Sequence, residues 1–301
     1  MSTISVKQIS KSFGAQKAVN NVSFDVEPGE IFGLMGPNGA GKTTSIRIIL
    51  DIFKPDTGAV EILGGKMTEE KKNQIGYLPE ERGLYQDIAL DRCLVYLATL
   101  KGIEETEAKH KVNQYLERFD LFQSRKKKVK ELSKGMQQKA QLITTLIHNP
   151  AIVIIDEPFS ALDPVNTQMV KDLLLEERAK GTSIVMCTHQ MHQMEELADR
   201  VAMINKGESV LYGALDEVRN KFAKEALIVK SPQPLPVSIN GVSSIEKTNN
   251  HSVLHLENGK TSQDILHELV AQNIPIEQFE IALPTLDEIF IQVVKSEGES
   301  E

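Results

Sequence analysis

GPNGAGKT, Gly36 to Thr43, follows the apolar run Ile31–Met35 and precedes a segment in which Ile46, Ile49, Leu50 and Phe53 fall at i, i+3, i+4 and i+7. The run reads as a buried strand and the periodic segment as one face of a helix, so the octapeptide is the turn between them. Its spacing is G-x-x-x-x-G-K-T. Glycines allow backbone N–H groups to converge on phosphate oxygens, and the following helix N-terminus adds a favourable dipole. Lys42 can then reach β- and γ-phosphates, and Thr43 offers a hydroxyl to Mg²⁺. The stretch predicts a strand–loop–helix unit that binds a nucleotide.

Two further apolar runs lie outward from this unit, Ala151–Ile155 and Ser183–Cys187. Between them Val165–Lys180 reads as a helix stopped by Gly181. After the second run, Met194, Leu197, Ala198 and Val201 repeat the helical spacing. Short continuous apolar strands alternating with helices predict a mainly parallel sheet covered on both faces. The segment from about Asp87 to Lys130 is helix-rich and reads as a lobe attached to this core. Near Ser231–Pro236 the sequence SPQPLP marks a change of character. Beyond it, Ala226–Lys230 being the last run before the break, Ser252–Glu257 and Ile276–Leu283 read as strands. TSQDILHELV reads as a capped helix, and TLDEIF opens another. The expected division is residues 1–220, with a helical lobe at about 87–145, and a small α/β domain at 221–301 whose acidic tail SEGESE is disordered.

Composition narrows the class. Of 301 residues, 41% are hydrophobic and 25% charged, as in soluble globular chains. The 42 acidic against 34 basic residues give a net charge of -8, which disfavours broad binding to nucleic acid or anionic lipid. Cys93 and Cys187 are far apart and form no metal-ligand spacing, so reduced thiols are expected. No apolar run reaches the ~18 residues of a membrane helix, and the N-terminus lacks the apolar core of a signal peptide.

The run AIVIIDEP delivers Asp156 and Glu157 to the end of a buried strand. Adjacent carboxylates there are costly to desolvate unless they face a cation or a polar cleft. Asp156 then suits a magnesium contact and Glu157 a water to be deprotonated; alone, the pair could equally start a loop. ELSKGMQQ places Ser133 at the start of a helix. LSKGMQQ resembles the LSGGQ signature of ATP-binding-cassette (ABC) proteins, and it lies upstream of the Asp-Glu strand as in that family.

The resemblance covers about Ile4–Leu211 with its motifs in order. It implies an α/β P-loop NTPase cassette with a mostly parallel core sheet, an antiparallel β subdomain and a helical subdomain, plus the small C-terminal α/β domain. It assigns nucleotide binding to Phe13, as the adenine-stacking aromatic, and to Gly36, Pro37, Asn38, Gly39, Ala40, Gly41, Lys42, Thr43 and Thr44. Catalysis falls to Glu157 and to His189 as the switch histidine. The metal-facing set is Thr43, Glu80 and Asp156. Ser133, Lys134, Gly135 and Met136 are the signature that reaches the γ-phosphate bound to a second subunit, and Ser160 and Asp163 belong to the D-loop. Three positions depart from the family pattern. Glu80 stands for the usual Q-loop glutamine and brings a second anion toward the metal or the permease contact. Lys134 and Met136 stand for Gly and Gln, and the added cation of Lys134 is expected to strengthen ATP-dependent closure.

Other readings stay open for single residues. Phe13 could be a core aromatic, and Ser133 an ordinary N-cap. His189 and His192 with Glu195 could suggest a metal site, although the first ends a strand and the second begins a helix. Arg125–Lys130, RKKKVK, is either a solvated loop or a contact for anionic headgroups. The resemblance as a whole implies an ATP-hydrolysing subunit that dimerises around two MgATP, as a homodimer or cassette dimer. It would sit at the cytoplasmic face of the membrane and drive separate permease subunits. GYLPEERGLY and the C-terminal extension resemble bacterial drug- and sodium-efflux exporters. The alternative is a soluble ABC ATPase acting on ribosomes or DNA. Against it stand a single phosphate loop, no heptad arm and the acidic balance, so no nucleic-acid partner is expected.

Overall fold

A computed structural model describes residues 2–81, 83–223, 226–248 and 250–298, with residues 296–298 described by backbone only. In chain order the elements are β1 (Ile4–Phe13), β2 (Gln16–Val26), β3 (Ile31–Met35), α1 (Lys42–Ile49), β4 (Thr57–Ile62), α2 (Glu69–Lys72) and β5 (Ile75–Leu78). Next come α3 (Leu90–Leu100), α4 (Glu105–Arg118), α5 (Lys134–Leu146), β6 (Ile152–Asp156), α6 (Pro164–Ala179), β7 (Ser183–Cys187), α7 (Met191–Leu197), β8 (Arg200–Asn205) and β9 (Glu208–Ala214). The chain ends with α8 (Leu215–Lys221), β10 (Ala226–Lys230), β11 (Val242–Lys247), β12 (Ser252–Leu256), α9 (Ser262–Ala271), β13 (Gln278–Ile281) and α10 (Leu286–Gly298).

A six-stranded sheet of order β5-β6-β7-β3-β8-β9 is parallel except for its β8–β9 hairpin. β3, β6 and β7 are buried at every residue, which is why they read as continuous apolar runs rather than alternating ones. An antiparallel sheet of order β2-β1-β4 stands beside it. One apolar core joins the two through α1: Ile4, Phe24, Phe32, Ile46, Ile152 and Val185 belong to the same cluster, and Phe24 stacks on Phe32 at 5.0 Å. The two sheets and the helices α3 to α5 thus supply the mixed β layers and helical lobe that the resemblance implies.

Local chemistry sets the helix starts. Ser133 caps α5 by accepting the N–H of Met136 at 3.2 Å, and Asp163 caps α6 ahead of Pro164, satisfying donors that the first helical turn leaves orphaned. Two periodic readings break in the structure. α1 stops at Ile49, because Asp51 is left-handed (φ 60°) and Pro55 follows; Phe53 therefore leaves the helix face and meets Phe13 edge-on at 5.4 Å. α7 stops at Leu197 because the Asp199 carboxylate accepts the N–H of Ile31 at 2.9 Å and pairs with Arg178. That hold commits Val201 to β8.

Compact units run from Met1 to Ala214 and from Leu215 to Glu301. α8 falls in the second, where Arg219 Nε donates to Pro284 O at 3.1 Å. In that unit a four-stranded antiparallel sheet, β11-β12-β10-β13, packs Leu227, Val229 and Leu254 against Ile265 and Leu269 of α9. β11, VSSIEK, has too little apolar content to signal itself in sequence, and β13 is shorter than the run Ile276–Leu283. α10 carries helical backbone through Gly298, so the tail expected to be disordered begins inside a helix, and its last residues, 299–301, lie outside the described ones. The basic run is tied down locally: Lys126 pairs with Asp91 and Lys130 with Asp87, each at 2.6 Å, Arg125 lies 3.9 Å over the Phe122 ring, and Val129 is buried.

Candidate nucleotide site

Gly36 to Gly41 carry the chain from the end of β3 into α1, and Lys42 is the first helical residue. The loop is braced by Gly207, whose N–H donates to Ala40 O at 2.8 Å and whose carbonyl accepts the Asn20 N–H at 2.8 Å. Gly41 sits at φ 110°, and a Cβ there would lie 2.3 Å from Ala18 O, so no other residue fits. Lys42 Nζ donates to Gly36 O at 2.8 Å and to Pro37 O at 3.0 Å. The ammonium is thereby folded over the mouth of the loop. Pro37, Asn38 and Gly39 are exposed, whereas Gly36, Ala40, Gly41 and Lys42 are buried and Thr43 and Thr44 half-buried.

The end of β6 faces this loop. Thr43 Oγ1 donates to Asp156 Oδ2 at 3.2 Å. Burial pushes the Asp156 carboxyl up to about 6, with the charges of Glu80 and Glu157 adding to it and the Thr43 hydrogen bond and Lys42 opposing. An aspartate so poorly compensated, beside a hydroxyl and an exposed Glu80, is a hard-oxygen donor set that suits a divalent cation such as Mg²⁺. Glu157 is left-handed (φ 53°) and 9% exposed. Its N–H donates to Cys187 O at 2.9 Å, and Gln138 Nε2 donates to the carbonyls of Glu157 and Pro158, each at 3.2 Å. Its carboxylate meets Thr188 Oγ1 at 3.0 Å, His189 N at 2.9 Å and His189 Nδ1 at 2.7 Å.

Thr43 is therefore joined to Asp156, and Glu157 to His189, by direct contacts, while Lys42 and Glu80 act on Asp156 by their charge. Ser133 and Lys134 are exposed at the start of α5, with Gly135 and Met136 half-buried. Gly135 packs on the D-loop, where an added Cβ would lie 2.9 Å from Ala161 O. Ser160 is exposed, and Asp163 accepts from Asn166 N at 2.9 Å. Phe13 is 47% exposed at the end of β1 and so is not a core aromatic. His189 turns to Glu157, whereas the His192 ring contacts the Gln193 amide at 2.7 Å. Gln138 and Thr188 were not legible as site residues. The signal for Thr188 was a hydroxyl placed between a buried strand and His189; Gln138 carried none.

A phosphate-sized loop closed by its own lysine, a hydroxyl meeting a strand-end aspartate, and a glutamate beside it on a parallel sheet define a P-loop ATPase. Comparison with known proteins makes this specific. Residues 19–160 match the ABC transporter family, and residues 213–294 match the family described as ATP-binding protein DrrA1-3-like, C-terminal domain. The ABC transporter ATP-binding protein YhaQ of Bacillus subtilis is 39% identical over 293 residues, 97% of this chain and 98% of that one. The linearmycin resistance ATP-binding protein LnrL of the same organism is 27% identical over 303 residues, 96% and 97% of the two chains. A solved ATP binding subunit of an ABC transporter superposes with a TM-score of 0.69 at 32% identity, covering 73% of this chain and 93% of that one. The chain belongs to the ABC transporter ATP-binding proteins, and it is an ATP-binding, ATP-hydrolysing subunit of that family. Among the described residues no helix is long and apolar enough to cross a membrane.

Proposed function

We propose that two copies close around two MgATP at the cytoplasmic face of a membrane and drive separately encoded permease subunits, in the direction of export. Gly36 to Thr44 cradle the phosphates, Lys42 moves from its loop carbonyls to the β- and γ-phosphates, and the exposed Phe13 ring stacks on adenine. Thr43 and Asp156 hold Mg²⁺, with Glu80 beside it; when bound, the ion offsets the negative charge of the phosphates. Glu157 takes the proton of the attacking water, and His189 hydrogen-bonds the γ-phosphate. Ser133, Lys134, Gly135 and Met136 present the positive end of α5 to the γ-phosphate on the partner copy, with Ser160 and Asp163 at the seam.

The observation that carries the permease reading is an open cleft of about 680 Å³ between the end of α1, the turn after β5 and α3. Leu50, Ile52, Tyr77, Leu84, Leu97 and Leu100 line it, and Ile52 and Leu100 are 57% and 60% exposed. Apolar groups left open beside the Glu80 turn suit a short helix of a membrane subunit, which would cover them and report on the nucleotide through that turn. Export is supported by the likeness to a linearmycin resistance ATP-binding protein. The test is purification of the Glu157→Gln variant from membranes with ATP. The expected result is an ATP-stabilised dimer attached to a multi-span protein. A dimer found on ribosomes or DNA instead, or no dimer, would overturn the proposal.

A further inference from the structure

Both oxygens of the Glu157 carboxylate are held, each by a different partner. Oε2 accepts the Thr188 hydroxyl at 3.0 Å. Oε1 accepts the His189 N–H at 2.9 Å and lies 2.7 Å from His189 Nδ1. The His189 N–H belongs to the backbone and stays in place, whereas the two side-chain holds differ in permanence. Thr188 is 1% exposed and follows directly on β7, where Cys187 is in register with Asp156. Its hydroxyl oxygen already accepts the N–H of Gln190 at 3.1 Å, which turns its single proton toward Oε2. The His189 side chain, by contrast, is 59% exposed and can turn away without being unpacked.

The Glu157 backbone is fixed by Cys187 O and by Gln138, so side-chain torsions are what remain to be set. The terminal torsion of a glutamate is broad and roughly two-fold, and it does not by itself choose an oxygen. We propose that Thr188 is a positioning residue for ATP hydrolysis: it pins Oε2 while the backbone N–H of His189 stays on Oε1, so that the side of Oε1 vacated when the His189 ring turns to the γ-phosphate faces the attacking water. The inference rests on Glu157 being the general base. In the step, an O–H bond of water breaks and its proton goes to Oε1. The freed electron pair forms the new O–P bond, and the bond from the γ-phosphorus to the bridging oxygen breaks with its pair leaving on ADP.

Steady-state ATPase assays on the full chain carrying Thr188→Val, Thr188→Ala and Thr188→Ser test it, with Glu157→Gln as reference. A misaimed base costs turnover and not ground-state binding, so Val and Ala should each lower kcat by at least about tenfold, with KM for ATP within about twofold. Ser, which keeps the hydroxyl, should recover to within about threefold of the parent chain. Ala covers the case in which Val fails to fold, since it removes the hydroxyl without placing a methyl against Oε2. The inference falls if Val or Ala keeps the parent kcat, if Ser shares their loss, or if the loss follows a rise in KM and a lower Tm. An active Glu157→Gln would bring down the general-base assignment itself. An inactive Glu157→Gln beside a fully active Thr188→Val would bring down the role of Thr188 alone.

Discussion

At Gly41 the backbone is left-handed and the carbonyl of Ala18 occupies the place of a side chain. Gly41→Ala must therefore shift β2 or the phosphate loop, and strain plus contact should cost about 2 kcal/mol or more. A lower Tm together with lost binding of a fluorescent ATP analogue is expected. His148 gives a pH prediction. Burial, with the Lys101 charge adding, lowers its imidazole to about 4, against the carbonyl of Ile75, which opposes. The unfolded chain, titrating near the usual ~6.5, binds more protons than the folded one between these values. The stability is thus full above about pH 6.5 and is lost as pH falls toward 4, with a drop of about 2 kcal/mol between pH 7 and pH 5. Urea unfolding of the parent chain and of His148→Gln at the two pH values should show that slope in the parent and its loss in the variant.

Helix α5 packs inside the chain, and its exposed end is the part proposed to meet a second copy. Ser133 caps it through Met136, and losing that cap in Ser133→Ala should cost about 1 kcal/mol. An aspartate caps equally well and suits the helix dipole, but it opposes a phosphate. Ser133→Asp should therefore unfold within about 1 kcal/mol of the parent chain while failing to form an ATP-stabilised dimer by light scattering. A dimer that survives the substitution would mean that the exposed end of α5 does not meet the nucleotide of a second copy. Farther along α5, Gln138 reaches the Glu157 and Pro158 carbonyls and Lys139 the Asn166 side chain at 3.1 Å. The helix thus packs its polar inner face on the loop that carries Glu157.

Each compact unit owns its core: Ile4, Phe32, Ile152 and their neighbours in the first, Leu227, Leu254, Ile265 and theirs in the second. Residues 1–214 alone should therefore fold and bind ATP with a Kd within about threefold of the full chain, since separate cores unfold separately. A 1–214 fragment that aggregates or shows no cooperative melt would refute this. At this scale the sequence by itself determined the sheet strands β3, β6 and β7, because burial on both faces demands unbroken apolar runs. It also determined the phosphate loop, because glycine spacing there answers to backbone geometry. It could not end α1 at Ile49 or α7 at Leu197, since those stops come from Asp51 turning left-handed and from Asp199 gripping Ile31 across the sheet. Nor could it foresee that Thr188 and Gln138 converge on Glu157. A hydroxyl and an amide acquire such a place only when β7 and α5 are packed against the end of β6.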